Sequence, residues 1–177
     1  MKLKLFTAVL ALQTAWILGT SFVQERGLAS GTLVTLETRP VDPRDLLRGD
    51  YVTLNYKISD IPLTAFAPQT NTPAPGSTVY VAIESRGEFY EVAKASSEPI
   101  LAESGQVLLR GIAQGWWNPS SAHVSYGIER YYVPEGAGNP RGKLTVQVAV
   151  PSSGRAQIKN VFMDGKPFAD AMKETAP

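Results

Sequence analysis

The chain reads as an all-β protein: a single antiparallel β-barrel or sandwich of about seven to eight strands, preceded by an N-terminal transmembrane or signal helix. Three observations lead there. Past residue 26, apolar residues recur at every second position in run after run, and no stretch carries a long helical period. Thirteen prolines and fifteen glycines, all but Gly19 past residue 26, punctuate those runs with turn chemistry. Residues 5–23, in contrast, form one apolar block without a formal charge. The expected division is residues 1–26 as anchor or signal and residues 27–177 as one extracytoplasmic β-domain, long enough to bury a core unaided.

The apolar block has the length of a membrane span. As a helix, residues 5–23 would cover about 28 Å, close to the hydrocarbon thickness of a bilayer. Lys2 and Lys4 precede the block, which favours a cytoplasmic N-terminus and places the remainder on the outer side. Trp16, late in the segment, suits an interfacial aromatic. Gly19 and Ser21 are the small residues that a cleaved signal would offer, but no A-x-A pattern follows a shorter core. A retained anchor is the reading that length and flanks favour, with Gln13 and Thr14 tolerated inside a single helix or bonded by a partner helix.

The β elements follow in order. Residues 32–37 form a short strand, with Leu33 and Thr35 on one face. Val52, Leu54, Tyr56 and Ile58 alternate with Thr53, Asn55 and Lys57, which predicts a strand with one apolar face. Residues 59–76 hold four prolines among polar residues and read as an exposed, mobile loop. Val79, Val81 and Ile83 open a hairpin that turns at residues 85–88 and returns over residues 89–95. Further strands are expected at residues 106–112, 124–133, 144–150 and 156–162, with Gly127 marking a bulge or close approach and a ragged end after a turn at residues 163–166.

Between the first two strands lies the densest run of backbone signals. Asp42 is a good N-cap, Pro43 a preferred first helical residue, and Asp45 falls where a carboxylate reaches back to the cap. Arg48 suits the last turn and Gly49 a left-handed C-terminal position, so residues 42–49 predict one helical turn docked by Leu46 and Leu47. Tyr51 then points away from the face that carries Val52, Leu54 and Tyr56.

Gly49-Asp50-Tyr51, Leu54 and Tyr56 together resemble the GDYXXLXY motif that names a bacterial family of membrane-anchored, exported proteins. Residues 43–48 are similar to that family's approach to the motif, and residues 128–136 and 159–166 to its later blocks. The resemblance implies an N-terminal anchor, frequent encoding beside multi-spanning membrane proteins, and no established activity. The address that follows is the bacterial inner membrane, single-pass with a cytoplasmic N-terminus and the domain in the periplasm or another extracytoplasmic space.

Signals for chemistry are sparse. The absence of cysteine removes disulfides, thiolate nucleophiles and Cys-based metal sites. A net charge of +1 gives no field for nucleic acid. His123 is the single histidine, which leaves no parts for a His-based metal site and reads as an ordinary strand residue. No catalytic, metal or cofactor-binding residue is therefore assigned and no cofactor is expected. Capping explains much of the charge around residues 42–50; the sharper reading joins Arg44, Arg48, Asp50 and Tyr51 to Arg130, Tyr131 and Glu135 as a binding rim. The leading expectation is a membrane-anchored binding or accessory subunit of a membrane protein complex, its partner an integral membrane protein. The alternatives are a metal-independent cell-envelope hydrolase or glycan-modifying enzyme using two carboxylates, such as Asp50 and Glu135, and a carbohydrate-binding module using Trp116 and Trp117.

Overall fold

The apolar block folds as one continuous helix in the computed structural model of the chain, which describes residues 2–39, 51–66, 73–118, 120–133 and 142–175. This helix, α1 (Lys2–Ser30), continues beyond residue 26 to the edge of the β structure. None of its apolar block is covered; Trp16 is 73% exposed. The hydroxyl of Thr14 donates to the Leu10 carbonyl at 2.9 Å, and that of Thr20 to the Trp16 carbonyl at 3.0 Å, so these polar groups are satisfied within the helix.

After α1 come β1 (Thr32–Glu37), β2 (Tyr51–Thr53), β3 (Asp60–Pro62), β4 (Thr78–Arg86), β5 (Phe89–Ser96), β6 (Gln106–Asn118), β7 (Ser121–Ser125), β8 (Arg130–Tyr132), β9 (Leu144–Val150), β10 (Gln157–Met163), β11 (Lys166–Pro167) and a closing helix α2 (Phe168–Thr175). The strands form antiparallel sheets in the orders β1-β9-β10-β11, β3-β7-β6-β4-β5, and the pair β2-β8. The described strands do not close into a barrel; the arrangement is sandwich-like, around one apolar cluster to which every sheet contributes. Val34 and Leu36 of β1 stand opposite Val148 and Val146 of β9, and Val79, Val81 and Ile83 of β4 are equally buried. These are the alternating apolar sets that period-two patterning selects.

Several elements depart from the sequence expectation. The described residues hold eleven strands rather than about seven to eight, because some runs break where pairing partners change. In β1 it is Val34 and Leu36 that face the core, while Leu33 is 43% exposed, since β9 offers its valines to that side. The run from Val52 to Ile58 is a strand only at β2; residues 57–59 close into a single 3₁₀ turn that still buries Ile58. Residues 59–76 are not simply loop. They include β3 and a second 3₁₀ turn, with Ile61 and Phe66 buried. β6 runs on to Asn118 through two register shifts against β7. The C-terminal end is ordered as α2, whose Phe168, Ala171 and Met172 are buried. The helical turn expected at residues 42–49 lies outside the described residues.

The helix is joined to the sheets without slack. The Gly31 amide donates to the Gly27 carbonyl at 3.0 Å, closing α1. A Cβ on Gly31 would lie 2.7 Å from that carbonyl oxygen and 2.9 Å from the Val150 nitrogen. Only glycine lets the helix end approach β9 this closely.

Candidate binding face

The motif strand and its partner come from distant parts of the sequence. β2 and β8 pair with Tyr51 opposite Tyr132, Val52 opposite Tyr131 and Thr53 opposite Arg130. Directly opposed residues share a face, so Tyr51, Thr53, Arg130 and Tyr132 point one way, and Val52 and Tyr131 the other. Beyond β2 the pairing continues irregularly: the Leu54 amide donates to the Glu129 carbonyl at 2.8 Å, and Arg39 to the Asn55 carbonyl at 2.7 Å.

Two buried tyrosines fasten these segments reciprocally. The Tyr56 hydroxyl donates to the Ile128 carbonyl at 2.7 Å, and the Tyr126 hydroxyl donates to the Ile58 carbonyl at 2.8 Å. Each phenol thus satisfies a backbone acceptor on the other segment, in a core where an unpaired carbonyl is costly. Burial pushes both phenols well above the usual tyrosine range, and the nearby Glu129 carboxylate adds to the effect.

Glu129 shapes the turn that separates β7 from β8. Its carboxylate accepts from the Tyr126 amide at 2.5 Å and the Gly127 amide at 3.0 Å, and Gly127 takes φ +80°. The single strand expected over residues 124–133 is therefore two, with Gly127 at the break. A Cβ there would meet nothing within 4 Å, so backbone conformation, not close approach, is what glycine supplies.

The outward face is aromatic and cationic. The Arg130 guanidinium lies 5.1 Å from the Tyr51 ring centroid, within cation–π range. Tyr51 and Tyr132 meet edge-on at 6.1 Å, and Tyr132 is 71% exposed. Tyr131, expected on the rim, is turned inward and packs edge-on against Phe168 of α2 at 5.5 Å, so the outward aromatic of β8 is Tyr132. Alternation could have found it: with Gly127 read as a break, 130 and 132 share a face. Arg44, Arg48, Asp50 and Glu135 lie outside the described residues, as do the side chains of Trp116 and Trp117.

Two charged clusters flank the motif. Asp60 of β3 is paired with Arg39 and accepts a 2.6 Å contact from His123 Nδ1, its direct neighbour on β7. His123, expected as an ordinary strand residue, therefore helps one carboxylate tie the end of β1 to β3 and β7. Glu37 sits between Lys143 at 2.8 Å and Lys57 at 2.5 Å, and hydrogen bonds from these ammonium groups hold its carboxyl below the usual carboxylate range. Each carboxylate is held by two partners from other segments, which suits cross-linking more than proton transfer. Among the described residues, no group of three or more His, Asp or Glu side chains is placed to hold a metal ion.

These features define an antiparallel β-sheet protein with an exposed apolar N-terminal helix and an arginine–tyrosine surface built from two sequence blocks. A family model described as GDYXXLXY protein matches residues 13–161, and the chain belongs to that family. No curated protein and no solved structure matches it.

Proposed function

We propose that the protein is a retained, single-pass membrane protein whose β domain, outside the cytoplasm, binds an integral membrane partner through the face formed by Tyr51, Arg130 and Tyr132. The observation that carries the binding reading is the stacking of Arg130 on Tyr51 beside an exposed Tyr132. Tyr and Arg are the residue types that dominate interface energetics, and here both stand on paired strands, a rigid support. Retention of the helix is supported by its continuity through Ser30 and by the close seating of Gly31 on β9. A fully exposed apolar helix has its natural solvent in lipid.

Two measurements test this. Alkaline extraction of membranes should leave the full-length chain in the pellet with its N-terminus intact; release of a shortened chain would refute retention. Affinity recovery from detergent extract should bring down an integral membrane protein, and Tyr51→Ala together with Arg130→Ala should abolish it. Undiminished recovery by that double variant would move the binding surface elsewhere.

A further inference from the structure

A cleft of about 660 Å³ opens where the helix stem meets the sheets. It is separate from the Tyr51–Arg130–Tyr132 face. Its walls include Gln24 from the stem, Arg110 and Gln114 from β6, Arg155 from the segment leading into β10, and Gln157 at the start of β10. The charged side chains among them are two arginines; among the described residues, no carboxylate lines the cleft. The backbone places the pair: the Arg110 amide donates to the Gly154 carbonyl at 2.8 Å, which brings the neighbouring Arg155 to the same wall. Gln157 adds a buried Oε1 without a hydrogen-bond partner among the described residues.

Such a lining selects an anion with hydroxyl groups. Guanidinium groups match phosphate oxygens in bidentate geometry, and an unfilled amide oxygen accepts from a hydroxyl. Position narrows the source. Gln24 directly follows Val23, the end of the apolar block, so this wall of the cleft begins where a spanning helix leaves the hydrocarbon. We infer that the cleft binds the phosphodiester headgroup of an anionic phospholipid from the same membrane, with Arg110 and Arg155 on the phosphate and Gln157 on a headgroup hydroxyl. This rests on the retained-anchor reading above. The volume falls within the range of small-ligand sites.

The full-length protein reconstituted in nanodiscs of mixed phosphatidylglycerol and phosphatidylcholine tests the site, with the lipid retained on release read by native mass spectrometry. Wild type should retain phosphatidylglycerol in preference, and Arg110→Gln or Arg155→Gln should each weaken that preference about tenfold, the loss of one charge-assisted hydrogen bond. Equal retention of both lipids by wild type would overturn the site while leaving the anchor standing. Failure of the chain to enter nanodiscs would overturn both. Excess glycerol phosphate should not displace the lipid; displacement would assign the cleft to a soluble phosphate compound instead. Arg155 is exposed on its loop, so its variant reads the site even if Arg110→Gln unfolds.

Discussion

The two tyrosines of the motif do opposite work. Tyr56 faces the core and closes a hydrogen bond to Ile128, whereas Tyr51 faces out beneath Arg130. Replacing Tyr56 with Phe leaves the Ile128 carbonyl buried without its donor and should cost about 1–2 kcal/mol in denaturant unfolding. Tyr126→Phe should cost a similar amount through Ile58. Both phenols are held neutral in the fold, with folded pKa above the unfolded value. The unfolded chain thus releases these protons first, from about pH 10 upward, so their contribution is complete below that pH and declines above it. Wild-type stability should fall steeply in that alkaline window, and the double Phe variant should show a flatter profile by thermal melts across pH. The outward turn of Tyr51 was legible from alternation alone. The reciprocal clasp was not, because each hydroxyl meets a carbonyl about seventy residues away, and no local pattern encodes that register.

At the level of elements, the turn at residues 126–129 separates strands that belong to different sheets. β7 pairs with β3 and β6, while β8 pairs with β2. The sequence offered one apolar-alternating run here, and alternation is blind to a change of partner. Gly127 was the available sign, but the decisive side chain was Glu129, whose amide contacts depend on the turn already being formed. Glu129→Ala should cost about 1–3 kcal/mol by leaving the part-buried Tyr126 amide without its acceptor. Glu129→Gln, which keeps an acceptor oxygen, should cost less, and equal losses would show that the turn does not depend on this cap. The helix stem gives a second test. Gly31→Ala forces a methyl into the Gly27 carbonyl and the Val150 nitrogen, both backbone atoms. It should lower the melting temperature and expose the stem to limited proteolysis, whereas Gly19→Ala, in open space, should do neither.

Across the whole molecule, charged side chains tie together segments that also meet in the apolar core. Glu37 reaches Lys57 after the motif and Lys143 before β9, and Asp60 gathers Arg39 and His123. Because the Glu37 pKa is depressed in the fold, its contribution is present above the usual carboxylate range and is lost as pH falls through the folded value. Wild type should therefore lose stability on acidification below about pH 4–5, and Glu37→Gln should lose less over the same interval by chemical denaturation. The sheet-rich class, the hairpin and the apolar helix were all legible, since each rests on local periodicity. Sheet membership was not, since it is decided by which edges meet. The cleft at the stem was hidden for the same reason: Gln24, Arg110 and Arg155 share no motif and are gathered by the fold.

The rigid seating of Gly31 on β9 carries a mechanical consequence. A helix in a bilayer adjusts to thickness by tilting, at a cost of fractions of a kcal/mol per ångström. Were the helix retained in a bilayer as proposed, the sandwich, with no slack at the joint, would inherit that tilt as a lever inherits the angle of its fulcrum. Seated in a thinner membrane, the protein would lean further, and the direction in which Arg130, Tyr51 and Tyr132 look would swing with it, while every contact inside the fold stayed the same.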